Sequence, residues 1–270
     1  CALPISVSDF HGQFELMKAL LKNNRVIDEQ GNWALGNGHL VITGDVFDRG
    51  DKVTEILWFL FQLEQQALAV NGKVHLLVGN HEVMVLNGDL RYLNDKYNVT
   101  AGLLSRPFEL LYSEDSVLGR WLRSKNVLVK INHDIYLHGG LHHKLTEDKL
   151  SLEFINQQFT QSLVVADMER QRTYVEDYLH GRQGPVWYRG YFYWPIIPVT
   201  QLDDVLAFYQ AKRIIVGHTS YKEIKVRFKG KVIAIDSSIK KGKYGELLKV
   251  SNGKYYRLTL DGITSELTVN

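Results

Sequence analysis

The chain has 270 residues, of which 45% are apolar, and its formal net charge is +2. This length and apolar fraction suffice for one large core, so we expect a single domain over residues 1–270. No dense run of Lys and Arg and no apolar run of about 18 residues is present, so we expect neither a nucleic-acid partner nor a membrane span.

The chain begins at Cys1 without an initiator methionine, and an apolar segment follows within a few residues. This start suggests that a leader has been removed, which favours the bacterial periplasm or export, with the cytoplasm as the alternative. Lipid attachment to Cys1 is one explanation, and a processing boundary is the other. Because Cys1 is the only cysteine, internal disulfides and thiolate metal sites are excluded, and any metal must use nitrogen and oxygen ligands.

Short β-rich runs recur along the chain, each followed by a loop rich in Asp, His, Gly or Asn. These runs are Leu3–Ser8, His39–Thr43, Lys73–Val78, Asp134–Leu137, Arg213–Val216 and Lys231–Ile235. The pattern is typical of central strands in an α/β sheet whose C-terminal ends carry the chemistry. Helical spacing predicts helices at Phe14–Asn23 and Val53–Gln66. The alternating tail Lys222–Val269 predicts antiparallel strands.

Two long segments, about 87–130 and 145–210, show mostly helical patterns, and we predict that they are insertions covering the active site. The second contains an aromatic run from Trp187 to Trp194 that is too irregular for an amphipathic helix, so we place it on a loop or cap. Such aromatic residues usually serve packing. A rim of Tyr and Trp beside Arg189 is also suited to contact a peptide or an aromatic phosphoester.

Five polar motifs follow the apolar runs. They are SDFHG at Ser8–Gly12, GDVFDRG at Gly44–Gly50, GNHE at Gly79–Glu82, HGG at His138–Gly140 and GHT at Gly217–Thr219. Each motif alone is a weak signal, because such short polar stretches are usually turns with satisfied side chains. Together they are a strong signal, since Asp and Asn are poor strand formers and a purely structural role does not explain their recurrence at strand ends.

The side chains in these motifs suit two divalent metal ions. Asp9 and His11 are two residues apart and can point to one side, so they can hold one ion, and Asp45 can bridge to another. Three further residues complete the second set of ligands: Asn80, His138 and His218. The sites keep open positions for water and a phosphate oxygen, as catalytic metal sites do.

In their order and their residues, these motifs resemble those of the calcineurin-like metallophosphoesterases, and specifically those of the phosphoprotein phosphatase family. The stretch GPVWYRG at Gly184–Gly190 is similar to the Shewanella-like branch of that family. The resemblance covers Ile5 to about Ser238, with Ser8 where the family usually has Gly. It implies a fold of the α/β class in which α and β layers are stacked (α+β layered). The core would be a calcineurin-like β-sandwich flanked by helices, with a dinuclear metal site at the strand ends.

The resemblance also implies a role for each site residue. The implied metal ligands are Asp9, His11 and Asp45 for the first ion, and Asp45, Asn80, His138 and His218 for the second, with Mn, Fe, Zn or Mg as the ions. His81 is the implied general acid, oriented by Asp48, and Arg49 and Arg189 are the implied phosphate-binding residues. A hydroxide bridging the two ions would attack phosphorus in line with the leaving oxygen.

We therefore expect a metal-dependent phosphomonoesterase, namely a protein phosphatase acting on phosphotyrosine, phosphoserine or phosphothreonine. The alternatives are a hydrolase of dinucleoside polyphosphates or nucleotides on the same metal centre, a nuclease, and a non-catalytic binding module. A nuclease would need a basic groove that this nearly neutral chain lacks. A binding module would leave the complete set of ligands, with His81 and both arginines, unexplained.

Overall fold

The structure is a computed structural model that describes residues 3–269, so the prediction for Cys1 lies outside the described residues. Its strands are β1 (Pro4–Val7), β2 (His39–Ile42), β3 (Lys73–Leu76), β4 (Leu128–Ile131), β5 (Asp134–Leu137), β6 (Arg213–Val216), β7 (Lys225–Arg227), β8 (Val232–Ala234), β9 (Glu246–Ser251), β10 (Lys254–Thr259) and β11 (Thr264–Glu266). Its α-helices are α1 (Phe14–Asn23), α2 (Val53–Ala69), α3 (Asn80–Leu86), α4 (Asp95–Leu104), α5 (Val117–Arg123), α6 (Lys144–Glu147), α7 (Leu152–Gln161), α8 (Tyr174–His180) and α9 (Val199–Phe208). No helix in this part of the chain has both the length and the apolar character that crossing a bilayer requires.

The strands form two mixed sheets. The first sheet has the order β11-β10-β9-β1-β2-β3, in which β1, β2 and β3 are parallel. The second has the order β4-β5-β6-β8-β7, in which β5, β6 and β8 are parallel. Polar residues that follow parallel neighbours are brought to the same edge of a sheet, which is what positions the candidate site.

The two sheets pack face to face because alternate residues of each strand point to opposite faces. In β2, Leu40 and Ile42 join the core under the helices, whereas Val41 joins a second core between the sheets. In β6, Ile215 faces the same second core from the opposite sheet. The predicted β-sandwich flanked by helices is confirmed.

Most predicted elements match the structure to within a few residues. Helix α1 and strands β5 and β6 have the predicted bounds, and α2 extends three residues further, to Ala69. The GNHE motif, treated above as a strand-end loop, forms the first turn of α3. The tail contains β7 to β11, and β8 pairs with β6 in parallel rather than only with antiparallel neighbours.

The prediction that residues 87–130 are mostly helical is wrong at their C-terminal end. Leu128–Ile131 form β4, which pairs antiparallel with β5 through a two-residue turn at Asn132 and His133. Asn132 has a φ of 55°, a left-handed conformation that asparagine tolerates better than most residues. The remainder of this segment contains α4 and α5, and the second segment, from residue 144 onward, contains α6 to α9.

Candidate functional site

The polar motifs meet at one edge of the sandwich, where the parallel strands end. The first two loops lie against each other, and the amide of Asp9 donates to the carbonyl of Gly44 at 3.1 Å. A Cβ atom on Gly12 would lie 2.6 Å from the carbonyl carbon of Gly50, so the two loops approach too closely for a side chain there. These glycines therefore allow the polar side chains that follow separate strands to approach each other.

Six of the ten predicted site residues have a left-handed backbone, which is uncommon outside glycine. They are Asp9, His11, Asp45, Asp48, Arg49 and His218. Hydrogen bonds between the loops hold these conformations, since the amide of His11 donates to the carbonyl of Asp45 at 3.0 Å and the amide of Gly50 to that of His11 at 2.9 Å. Backbone strain of this kind clusters at functional sites.

His138 lies at the centre of a group of buried acceptor atoms. Its Nδ1 lies 2.8 Å from the carbonyl oxygen of Thr43 and must donate to it, which leaves the Nε2 lone pair facing inward when the ring is neutral. Three further ligand-type atoms lie close to that Nε2: Asn80 Oδ1 at 2.9 Å, His218 Nδ1 at 3.0 Å and Asp45 Oδ2 at 3.2 Å. These electron-rich atoms repel one another unless a cation lies among them, so the residues fit a metal ion.

Electrostatics at this group indicate the same need for positive charge. Burial alone would lower the pKa of His138, but the adjacent Asp45 carboxylate outweighs burial and raises it to about 9. Burial would likewise raise the pKa of Asp45, but His138 and His81 outweigh it and hold it well below its usual range. The Asp45 carboxylate is therefore charged at neutral pH. A divalent ion bound beside it would compete with the proton that His138 otherwise carries.

Asp45 also belongs to a second group of potential ligands. His11 Nδ1 lies 2.7 Å from the carbonyl oxygen of Phe47, so its Nε2 is free to face Asp9 Oδ1 at 3.7 Å and Asp45 Oδ2 at 3.6 Å. His81 Nε2 lies 3.8 Å from the same Asp45 oxygen. Two His/Asp groups thus share Asp45 and could each hold a metal ion.

Glu82 holds two of the site loops in place. Its buried carboxylate accepts hydrogen bonds from the amides of Asp45 at 2.8 Å, Val46 at 2.7 Å, Phe47 at 3.3 Å and Gly79 at 2.7 Å. These contacts bring the GDVFDRG loop against the start of α3. Glu82 therefore supports the position of Asp45 without belonging to either group of potential ligands.

Replacing Glu82 with alanine is expected to destabilise the fold by roughly 3 kcal/mol or more, because several buried amides lose a charged acceptor. Urea unfolding of the variant and the unmodified protein measures the difference. Glu82→Gln is the matched control and should lose less stability, since its amide oxygen still accepts some of these bonds. A loss below about 1 kcal/mol in Glu82→Ala would contradict this role.

His81 is held by a carboxylate and bordered by an aromatic ring. Its Nδ1 lies 2.5 Å from Asp48 Oδ2, and the ring of Tyr92 lies 5.3 Å from its own ring. Burial alone would lower the pKa of His81, but Asp45 and then Asp48 outweigh it and raise the pKa. A histidine fixed in this way at neutral pH can donate a proton from Nε2.

The two predicted phosphate-binding arginines lie beside these groups, and neither pairs with a carboxylate of residues 3–269. Arg49 is exposed and lies over the ring of Tyr92, 5.1 Å from its centre. Arg189 donates to the carbonyl of His218 at 2.9 Å and to Thr219 Oγ1 at 3.2 Å. The guanidinium charges are therefore available to an anion that binds beside these groups.

Sequence reasoning missed several residues near the site. Ser8 donates to Asp9, and Thr43 Oγ1 donates to Ser8 at 2.8 Å, so the unusual serine orients the Asp9 carboxylate. Asp236, after β8, accepts from Ser220, and burial together with the charge of Asp9 raises its pKa to about 7. The rule of polar residues after apolar strands could have found Asp236, because it follows the predicted strand Lys231–Ile235.

Comparisons with known proteins agree on the type of protein that this chain resembles. The family model described as calcineurin-like phosphoesterase matches residues 5–221. The crystal structure of a cold-active protein-tyrosine phosphatase from a psychrophilic Shewanella species has a TM-score of 0.95 and 43% identity, covering 98% of this chain and 80% of that one.

Two curated relatives are also similar. Shewanella-like protein phosphatase 1 of Plasmodium berghei is 33% identical over 224 residues, covering 80% of this chain, and Shewanella-like protein phosphatase 2 of Arabidopsis thaliana is 37% identical over 92 residues, covering 34%. The chain spans 60% of the length of the Plasmodium relative and 24% of that of the Arabidopsis relative.

Proposed function

Because the chain belongs to the calcineurin-like phosphoesterase family, we propose that it is a metal-dependent phosphomonoesterase that removes phosphate from phosphoproteins. One observation carries the proposal: two groups of buried potential ligands share Asp45, beside arginines that pair with no carboxylate of the described chain. The names of the Shewanella and Plasmodium relatives support a protein substrate.

We assign two ions to the centre, drawn from Mn, Fe, Zn or Mg. The proposed ligands are Asp9, His11 and Asp45 for one ion, and Asp45, Asn80, His138 and His218 for the other. When bound, such ions would act as Lewis acids and make a water molecule nucleophilic at neutral pH. The backbone carbonyls behind His11 and His138 fix the ring tautomers that this ligation needs.

Arg49 and Arg189 bind the phosphate oxygens. Both guanidiniums are free of carboxylates in the described chain, and they approach the centre from the His81 and His218 sides respectively. Planar guanidiniums donate paired hydrogen bonds to phosphate. They also stabilise the negative charge that develops on the phosphate oxygens in the transition state of hydrolysis.

His81 protonates the leaving oxygen, and Asp48 orients it. The hydrogen bond from Nδ1 to Asp48 leaves Nε2 facing the centre, 3.8 Å from Asp45 Oδ2, while the ring of Tyr92 lies 5.3 Å from the His81 ring. The proton passes from His81 Nε2 to the departing phenoxide or alkoxide oxygen, so this oxygen leaves as an alcohol rather than as an anion.

Tyr92 favours an aromatic leaving group. Tyr92 is 43% exposed, and its ring lies against the His81 ring and under the Arg49 guanidinium. An exposed ring beside the proton donor can stack against the phenyl ring of phosphotyrosine, whereas phosphoserine and phosphothreonine offer no such partner. The position of Tyr92 therefore supports activity on phosphotyrosine.

Replacing Tyr92 with alanine is expected to lower the preference for phosphotyrosine over phosphothreonine in matched peptides by roughly three- to tenfold, because a ring contact is lost. The ratio of the two kcat/KM values measures this preference. Tyr92→Phe, which keeps the ring, should retain it. An unchanged ratio in Tyr92→Ala would contradict the proposal that the Tyr92 ring stacks against the phenyl ring of phosphotyrosine.

The function itself is tested by phosphate release from three substrates: a phosphotyrosine peptide, a phosphothreonine peptide and a dinucleoside polyphosphate. We expect the chelated protein to be inactive, added Mn²⁺ to restore release, and both peptides to react faster than the dinucleotide. Faster hydrolysis of the dinucleotide would favour the alternative substrate class on the same centre. The absence of hydrolysis with every metal tested would favour a non-catalytic binding module.

A further inference from the structure

A cavity of about 650 Å³ opens beside the proposed metal centre, next to His218. Arg189 and Trp187 line it, and both also border the centre. Arg189 bonds to the carbonyl of His218, and the ring of Trp187 lies 5.8 Å from the His218 ring. A substrate whose phosphate lies at the metal centre can therefore extend directly into this cavity.

The wall of the cavity is rich in aromatic and aliphatic side chains, and some of them are exposed to solvent. Trp194 is 91% exposed and Tyr193 is 55% exposed, although the neighbouring Tyr191 is fully buried. Ile196 is also 45% exposed. Large side chains exposed at the entrance of a concave apolar space are typical of a surface that binds another molecule.

The charges around the cavity suit an anionic peptide. Among the described residues that line it, none is an aspartate or a glutamate, and Arg182 and Arg189 supply two positive charges. Arg182 is exposed and forms no ion pair within residues 3–269. Burial and the neighbouring His143 lower the pKa of His142 to about 4, so this side chain is uncharged at neutral pH and adds to the apolar lining.

We propose that this cavity binds an aromatic side chain of the substrate, located within about four residues of the phosphorylated residue in an extended phosphopeptide. The inference rests on the proposed protein-phosphatase function. Successive residues of an extended chain are about 3.4 Å apart, so a residue a few positions from the phosphate reaches the cavity past Arg189. Stacking on Trp194 and Tyr193 and burial of the aromatic side chain would then select among phosphoproteins by sequence.

The test uses phosphotyrosine peptides that share one sequence except at a single varied position. That position runs from four residues before to four residues after the phosphotyrosine, and each position carries phenylalanine in one peptide and alanine in its partner. We expect one or two positions at which phenylalanine raises kcat/KM by roughly tenfold over alanine, mainly through a lower KM. In Trp194→Ala this ratio should fall to about one, and Trp194→Phe should restore most of it. Trp58→Ala, which alters another exposed tryptophan, on α2, should keep the ratio of the unmodified protein.

The possible results separate this inference from the proposed function. Hydrolysis of p-nitrophenyl phosphate by the unmodified protein tests the metal-dependent phosphomonoesterase alone. If that activity is present but no position distinguishes phenylalanine from alanine, the cavity does not bind the peptide as proposed. If Trp58→Ala lowers the ratio as much as Trp194→Ala, the effect is not specific to the cavity, and the inference is overturned.

Discussion

Replacing Asp45 with asparagine is expected to lower kcat/KM for a phosphotyrosine peptide on the order of a thousandfold, because both proposed ions lose their shared ligand. Asp45 Oδ2 lies within 3.8 Å of His11, His81 and His138, so its charge serves both groups of ligands. Steady-state kinetics measure the loss, and elemental analysis measures the metal that remains bound.

Asp51→Asn is the matched control for this change. Asp51 is an exposed carboxylate six residues along the same loop, and no ion pair involves it in the described chain. Its replacement should leave kcat/KM within about twofold of the unmodified protein. Full metal content and near-normal turnover in Asp45→Asn would contradict a bridging role.

Replacing His81 with alanine is expected to slow hydrolysis of a phosphothreonine peptide by roughly 10²- to 10⁴-fold, because an alkoxide leaves poorly without a proton. Hydrolysis of p-nitrophenyl phosphate, whose leaving group needs little protonation, should decrease much less. Comparing the two kcat values in the same variant shows whether the loss depends on the leaving group. A mere loss of stability would lower both values by the same factor.

The same variant distinguishes two roles that geometry alone leaves open for His81. Its Nε2 lies 3.8 Å from Asp45, so His81 also belongs to a group that could hold an ion, but its other nitrogen is bound to Asp48. A general acid predicts unchanged metal content in His81→Ala, whereas a ligand predicts the loss of one ion. Asp48→Asn should weaken catalysis less than His81→Ala, since it removes only the orienting partner.

The sequence was sufficient to predict which polar residues lie together, because a simple physical rule applies to them. Buried parallel strands deliver the polar residues after them to one edge, so Asp9, Asp45, His138 and His218 could be grouped from their positions alone. Hydrophobic runs followed by polar loops also predicted the strand positions to within a few residues. Six of the ten predicted site residues have positive φ, and these conformations could not be read from spacing.

The features that sequence reasoning missed depend on contacts between distant segments. Strand β4 was assigned to a helical segment because its turn at Asn132 and His133 lacks the Asn-Gly or Asp-Gly signal of a hairpin. Tyr92 belongs to none of the five sequence motifs. Only its contacts with Arg49 and His81 in the folded chain place it at the site. The cavity beside Arg189 likewise forms where the loop after α8 meets residues 142–143 and the approach to α9.

A titration of Mn²⁺ into the chelated protein, followed by phosphate release from a phosphotyrosine peptide, tests the dinuclear centre most directly. We expect binding to saturate at two ions per chain and activity to rise with occupancy of the sites. Calorimetry gives the stoichiometry, and phosphate release gives the activity of the same samples. Full activity in the chelated protein, or saturation without any phosphate release, would contradict a metal-dependent phosphatase built on Asp45.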